Sequence, residues 1–408
     1  MLTWAETSRR PSVIARRGSS ALKSPAIAGA RPRLDSIDLL RGLVMALMAL
    51  DHTRDFFTVS SWNPRDVTDP ALFLTRWITH FCAPTFVLLA GLAAHLYGAR
   101  GRSVGEISRF LVTRGFLLIL LEFTLVRVGW TFSFGFDQLT AGVIWAIGAS
   151  MIALAALVYL PRIGIAAVAV GLITGHNLLD GARAENWGSA SSIWHLLHQP
   201  GLVQLGNGTT MFALYPIIPW IGVMAAGYAL GPVMEFDAES RHRRLLRLGG
   251  AITAGFVLLR ATNLYGDPAP WTMQETWSAT ALSFLNCEKY PPSLLFLMMT
   301  LGPALMLLAA FENVRGRLAQ WLTTFGRVPL FFYVTHIYLI HGLAIVFALA
   351  IYPHLGRAGF VSPDETATTL GLPSVYLIWL FVVILLYPLC LWFAELKQSH
   401  SERWLSYL

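Results

Sequence analysis

Residues 41–57 read RGLVMALMALDHTRDFF. The run is apolar enough to cross a bilayer, yet it opens on Arg41 and closes on Asp51, His52, Arg54 and Asp55. Ionisable groups at membrane depth are expensive, so they face a bundle interior or a polar path, and they mark function. Arg41 and His52 are eleven residues apart, which on a helix is about 20° from a shared meridian and about 16 Å along the axis. Asp38, Arg41, Met45, Met48, His52 and Asp55 therefore form one stripe, while Asp51 lies about 100° round from His52.

The rest of the chain agrees with a bilayer as solvent. Of 408 residues 55% are hydrophobic and 13% charged, against about 25% charged in a soluble domain. The net charge of +7 comes from bases set between apolar runs, a pattern of membrane topology rather than of nucleic-acid binding. Cys82, Cys287 and Cys390 have no spacing for a disulfide framework or a metal site, and no metal is expected. Residues 1–34, rich in Arg and poor in acids, read as a disordered basic cytoplasmic tail with a transit peptide as the alternative.

Ten runs of about 20 apolar residues can be counted, near 37–57, 77–97, 107–129, 140–160, 162–180, 209–232, 244–264, 292–311, 328–351 and 371–394. Pro216 and Pro219 predict a kinked or broken sixth span. Basic residues in the short loops put both termini in the cytoplasm. The expected architecture is all-α: a polytopic bundle of about ten helices over 35–396, with a short tail at 397–408, and an inner cell membrane as its place. The longer outer loops, 58–76 and 265–291 among them, are of a length that often carries function.

His52 is suited to take a proton from a hydroxyl or amine near neutral pH, with Asp51 or His80 tuning it. Arg41 is suited to a phosphate, with Asp38 beside it. His336 and His341 are about 140° apart on one helix, and the deeper His336 is the better candidate for the site. Arg54, Asp55, Arg260, Asn263, Tyr265, Asp267, Lys289 and Tyr290 are candidates for holding a polar acceptor. Arg114, Glu122 and Arg127 read as charges that neutralise one another. Polar residues along a helix also describe an ion path, so a transporter or proton-coupled carrier is the competing class; a structural or sensory role is a third.

Six stretches carry a resemblance: RLDSIDLLRGLVMALMALDH (33–52), THFCAPTFVLLAG (79–91), VIWAIGASMI (143–152), NLYGDP (263–268), KYPPSLLFLMMTLGP (289–303) and FYVTHIYLIH (332–341). Together they resemble a bacterial membrane-protein family with the heparan-alpha-glucosaminide N-acetyltransferase catalytic domain. The Arg41-to-His52 spacing is similar to the signature of transmembrane acyltransferases that decorate bacterial polysaccharides. The resemblance implies transfer of an acyl, chiefly acetyl, group from cytoplasmic acyl-CoA to a sugar or other polar acceptor on the outer side, and Arg41 and His52 are the positions it carries over. One departure matters. The eukaryotic lysosomal branch looks to have Asn where His52 stands and its catalytic His in the next loop, before a Trp-Asn pair. Here Trp62–Asn63 are present with no His between His52 and His80, which leaves His52 or, second, His80 as the base. The acceptor, the acyl length and any homo-oligomer stay open at this point.

Overall fold

The computed structural model describes residues 34–58, 63, 65–351 and 370–400. The readings that fall on the basic tail before residue 34, on Trp62, on most of the outer loop at 352–370 and on the last eight residues lie outside them.

The protein is mostly helical. In chain order the α-helices are α1 (Asp35–Phe57), α2 (Pro70–Thr79), α3 (Cys82–Gly98), α4 (Val104–Leu121), α5 (Arg127–Thr131), α6 (Val143–Leu157), α7 (Arg162–Gly175), α8 (Ser191–Leu197), α9 (Ile218–Leu230), α10 (Ala238–Thr262), α11 (Trp277–Leu285), α12 (Leu294–Ala310), α13 (Arg317–Arg327), α14 (Pro329–Ile351) and α15 (Leu372–Ser399). Among the described residues, five helical segments are long and apolar enough to cross a membrane: Pro70–Gly98, Arg162–Leu179, Ala238–Thr262, Pro329–Ile351 and Leu372–Ser399. Two shorter apolar helices, Val143–Leu157 and Leu294–Ala310, accompany them.

The all-α expectation needs a correction. Strands β1 (Gln138–Ala141), β2 (Gly201–Gly206) and β3 (Thr209–Ala213) form a small sheet, with β3 central, parallel to β1 and antiparallel to β2. The segment 209–213, assigned by its apolarity to the sixth span, is thus a strand, and the helix begins only at Ile218 with Pro219 in its first turn. Proline is tolerated there because a first-turn N–H has no helical partner to lose. Asn207-Gly208 between two alternating runs is a strong hairpin signal, and both residues have positive φ.

α1 is the helix around which the others pack: most of its 23 residues are buried, and α2, α3, α12, α13, α14 and α15 all touch it. A helix covered on nearly all sides belongs to a core, which is how its charges are kept from lipid. The approach of α13 is close because both helices carry glycine at the crossing. A Cβ on Gly42 would stand 1.7 Å from Leu322 O, and one on Gly326 would stand 1.8 Å from Asp38 O. Gly91 and Gly227 give α3 and α9 the same kind of approach, to Met224 O at 1.9 Å and Leu88 O at 2.0 Å. Small residues at such contacts are how helices associate without a hydrophobic driving force. α13 itself is amphipathic and was absent from the ten-run count, since 11 residues with an apolar stripe do not make an apolar run.

Between α4 and α5 the helix widens into one π-turn, Glu122–Val126. Glu122 is buried there, and its carboxylate accepts hydrogen bonds from the backbone N–H groups at the start of α6, among them Trp145 N at 3.0 Å. Arg127 donates instead to Gln138 O and Ser133 O, both at 2.9 Å. Glu122 and Arg127 therefore do not neutralise each other as expected: one serves the start of α6 and the other the segment leading into β1. A carboxylate at a helix N-terminus meets unsatisfied donors and the positive end of the dipole.

Candidate active site

His52 lies in the fifth turn of α1. The residue is half-buried, with Trp130 of α5 and His336 of α14 packed on its ring. His52 Nδ1 stands 2.7 Å from His336 Nε2 of α14, and the two rings are nearly parallel with centroids 4.9 Å apart. His336 is fully buried, and its Nδ1 lies 2.9 Å from Phe332 O. That carbonyl can only accept, so His336 carries its proton on Nδ1. Its Nε2 is then an acceptor, and the proton between the rings sits on His52 Nδ1. The tautomers are assigned from hydrogen-bond partners, and the assignment leaves the lone pair of His52 on Nε2. Trp130 meets the ring edge-on at 4.8 Å, and Tyr333 does so at 6.2 Å. His341 also packs on α1, one turn further out against Phe56, and bonds Gly129 O. A wide face of α14 is thus buried, which is why two histidines 140° apart can both touch this wall.

Asp51 faces another way. Its carboxylate takes Arg76 Nη1 of α2 at 2.5 and 2.7 Å and Arg54 Nη2 at 2.9 Å, and Arg54 also reaches Asp55 at 2.6 Å. Asp51 makes no hydrogen bond to His52 among the described residues, and the His52 Nδ1 partner is His336, since the 100° between neighbours on a helix sends the two side chains to different partners. Arg76 is mostly buried. His80 sits where the chain breaks between α2 and α3, buried with Nδ1 unpartnered and tilted over Phe296 at 5.3 Å. Among the described residues it shares no hydrogen bond with His52.

Towards the N-terminal end of α1, Arg41 Nη1 bonds Asp38 at 3.1 Å and Gly326 O at 3.1 Å. It thereby caps the C-terminus of α13, a favourable place for a cation. Beside this end of α1 is an apolar groove of about 600 Å³ lined by Leu40, Leu43, Leu47, Trp77, Phe81, Leu246 and Pro303, among others. It follows the face of α1 that leads to Asp51 rather than the one that leads to His52.

The candidates between residues 260 and 290 divide into two groups. Arg260 is almost fully buried and donates to Phe284 O, Ala269 O, Ser283 O and Asn286 O. Asn263 closes α10 in the left-handed conformation and pairs twice with the Trp271 backbone. Tyr265 bonds Thr174 O. Asp267 accepts from Ser293 Oγ at 2.6 Å and from Glu288 N at 2.8 Å. These four brace the loop, and what they hold in place is the segment bearing Lys289 and Tyr290. Lys289 is buried, 5.2 Å from the Tyr290 ring centroid, and close enough to Asp51, His52 and His80 to act on all three through space.

A helical assembly of membrane-crossing length, with charged and imidazole groups gathered at the C-terminal half of a buried helix, is a multi-pass membrane protein. The family model described as heparan-alpha-glucosaminide N-acetyltransferase, catalytic, matches residues 33–259, more than half of the chain, and the chain belongs to that family. Its class is the membrane acetyltransferases. The match takes in α1 to most of α10 and ends before Lys289 and His336. Comparison with curated proteins finds no match.

Proposed function

We propose that the protein moves an acyl group, acetyl by its family, from cytoplasmic acyl-CoA to a hydroxyl or amine of a sugar-like acceptor on the outer side of an inner cell membrane. In this reading about ten helical spans carry the chain, with both ends in the cytoplasm. The observation that carries it is the state of His52: Nδ1 is occupied by His336, and Nε2 is left with the lone pair on a half-buried residue. His52 takes the proton of the acceptor O–H or N–H while that atom bonds to the thioester carbonyl. As the carbon–sulfur bond breaks, His52 returns the proton to the departing thiolate. General bases placed in this way are worth about 10²–10⁴-fold in rate. His336 holds the ring in one tautomer throughout. Arg41 and Asp38, about 16 Å towards the cytoplasm, are our candidates for the donor's polar end, together with basic residues of the inner loops such as Arg100 and Arg317.

The test is transfer itself. Purified protein in detergent, given labelled acetyl-CoA and a panel of neutral and charged sugars, transfers label to at least one of them. The same protein in vesicles moves no sugar when acetyl-CoA is left out. Uptake without a thioester, and no labelled product, would establish the carrier reading instead.

A further inference from the structure

Next to His52, charges gather that the acyl-transfer chemistry does not use. Arg54, Arg76 and Lys289 face Asp51 and Asp55, three cations for two anions, and the Asp55 side chain is 40% exposed. The neighbouring Arg65 and Glu288 neutralise each other at 2.8 Å. Lys289 makes no ion pair among the described residues. Two polar atoms of this cluster are buried without a partner: Arg54 Nη1 on a residue 4% exposed, and His80 Nδ1 on a residue 6% exposed and within electrostatic reach of Arg54, Arg76 and Lys289. A cation in excess at membrane depth is costly unless an anion answers it. A buried N–H without an acceptor adds to that cost.

We propose that Arg54, Arg76 and Lys289, with the Nδ1 edge of His80, form a subsite for an oxyanion (a carboxylate, sulfate or phosphate ester) carried by the acceptor beside its reacting group. Guanidinium forks suit the planar or tetrahedral oxygens of such groups. The location assigns the anion to the acceptor rather than to the donor. Arg54 is thirteen residues beyond Arg41, about 20 Å along α1 towards the outer side. The anionic groups of an acyl-CoA are at the opposite end from its thioester, so a donor that enters from the cytoplasm keeps them at the inner end. The outer loop carrying Lys289 forms one wall, and Asp51, adjacent in sequence to His52, ties the cluster to the reacting base.

This rests on the acyl-transfer reading, and its test separates the two. The full chain in detergent is melted in sodium sulfate and in sodium chloride of equal ionic strength. Sulfate should raise the melting temperature of the wild type with a saturable dependence. Lys289→Met should weaken that binding about tenfold, the equivalent of one lost contact of about 1.4 kcal/mol, and Lys289→Arg should restore it. Binding of sulfate requires no turnover, so it can be read even if no acyl acceptor is ever found. In the transfer assay, methyl glucuronoside should exceed methyl glucoside in kcat/KM in the wild type, and the ratio should fall towards one in Lys289→Met. Should Lys289→Met not fold, the wild-type arms decide alone. Equal melting in sulfate and chloride, or displacement of sulfate by CoA at the same site, overturns the proposal.

Discussion

His336 Nε2 lies 2.7 Å from His52 Nδ1, and His336 Nδ1 is in turn tied to Phe332 O. A neutral imidazole therefore does for His52 what a carboxylate does in many histidine bases: it fixes the tautomer and aims the remaining nitrogen. It adds no buried negative charge, which suits a site enclosed by lipid-spanning helices.

Removing the acceptor of that bond while keeping the ring's bulk isolates its role. His336→Phe should lower kcat by about 100-fold or more, the lower part of the range for a misplaced general base. His336→Gln, which can accept a hydrogen bond, should recover part of the loss. The measurement is single-turnover transfer of labelled acetyl groups, with KM for acetyl-CoA unchanged in both variants.

Asp51 and Arg76 make the shortest ion pair of the site. Arg76→Met leaves a buried carboxylate with one fewer partner and should cost about 3–5 kcal/mol of stability. Asp51→Asn combined with Arg76→Met should cost less than the two single changes added together, because the partners are in contact. Thermal melts of the four proteins close the cycle.

Arg260 separates bracing from binding. Its donors serve four carbonyls at the end of α11 and in the adjoining loop, and Arg260→Met removes that buried donor set at a cost of about 1–3 kcal/mol for each carbonyl left without a partner. The variant should melt well below the wild type. A side chain that gripped the acceptor would instead raise its KM with little change in melting.

The α1–α13 crossing gives a steric test. Gly42→Ala puts a methyl group 1.7 Å from Leu322 O, an overlap only backbone movement can relieve, and should abolish recovery of folded protein. Gly250→Ala in α10 meets nothing within 4 Å and should melt at or slightly above the wild-type temperature, since alanine is favoured over glycine in helices by about 0.5–1 kcal/mol. Size-exclusion profiles and melts of both variants check this.

Much of the frame is legible from hydropathy. The run 328–351 is α14 to within a residue, and the run at 371 becomes α15, which continues to Ser399. The stripe from Arg41 to His52 marks the helix that the others surround. What periodicity does not carry is pairing between distant segments. His52 and His336 are 284 residues apart, and Asp51 and Arg76 belong to helices whose packing no local pattern specifies. The sheet was hidden because an apolar strand beside an apolar helix reads as one long run, despite the Asn207-Gly208 turn. Arg260 and Asp267 looked like binding groups because polar side chains in a loop serve ligands and carbonyls alike, and only the bond partners tell them apart.

The most direct measurement of the central claim is acetyl transfer by His52→Ala, in protein whose melting temperature still rises with acetyl-CoA as the wild type's does. The account predicts a rate lower by about 10²–10⁴-fold with donor binding retained. A variant that binds the donor and transfers label as fast as the wild type would contradict it.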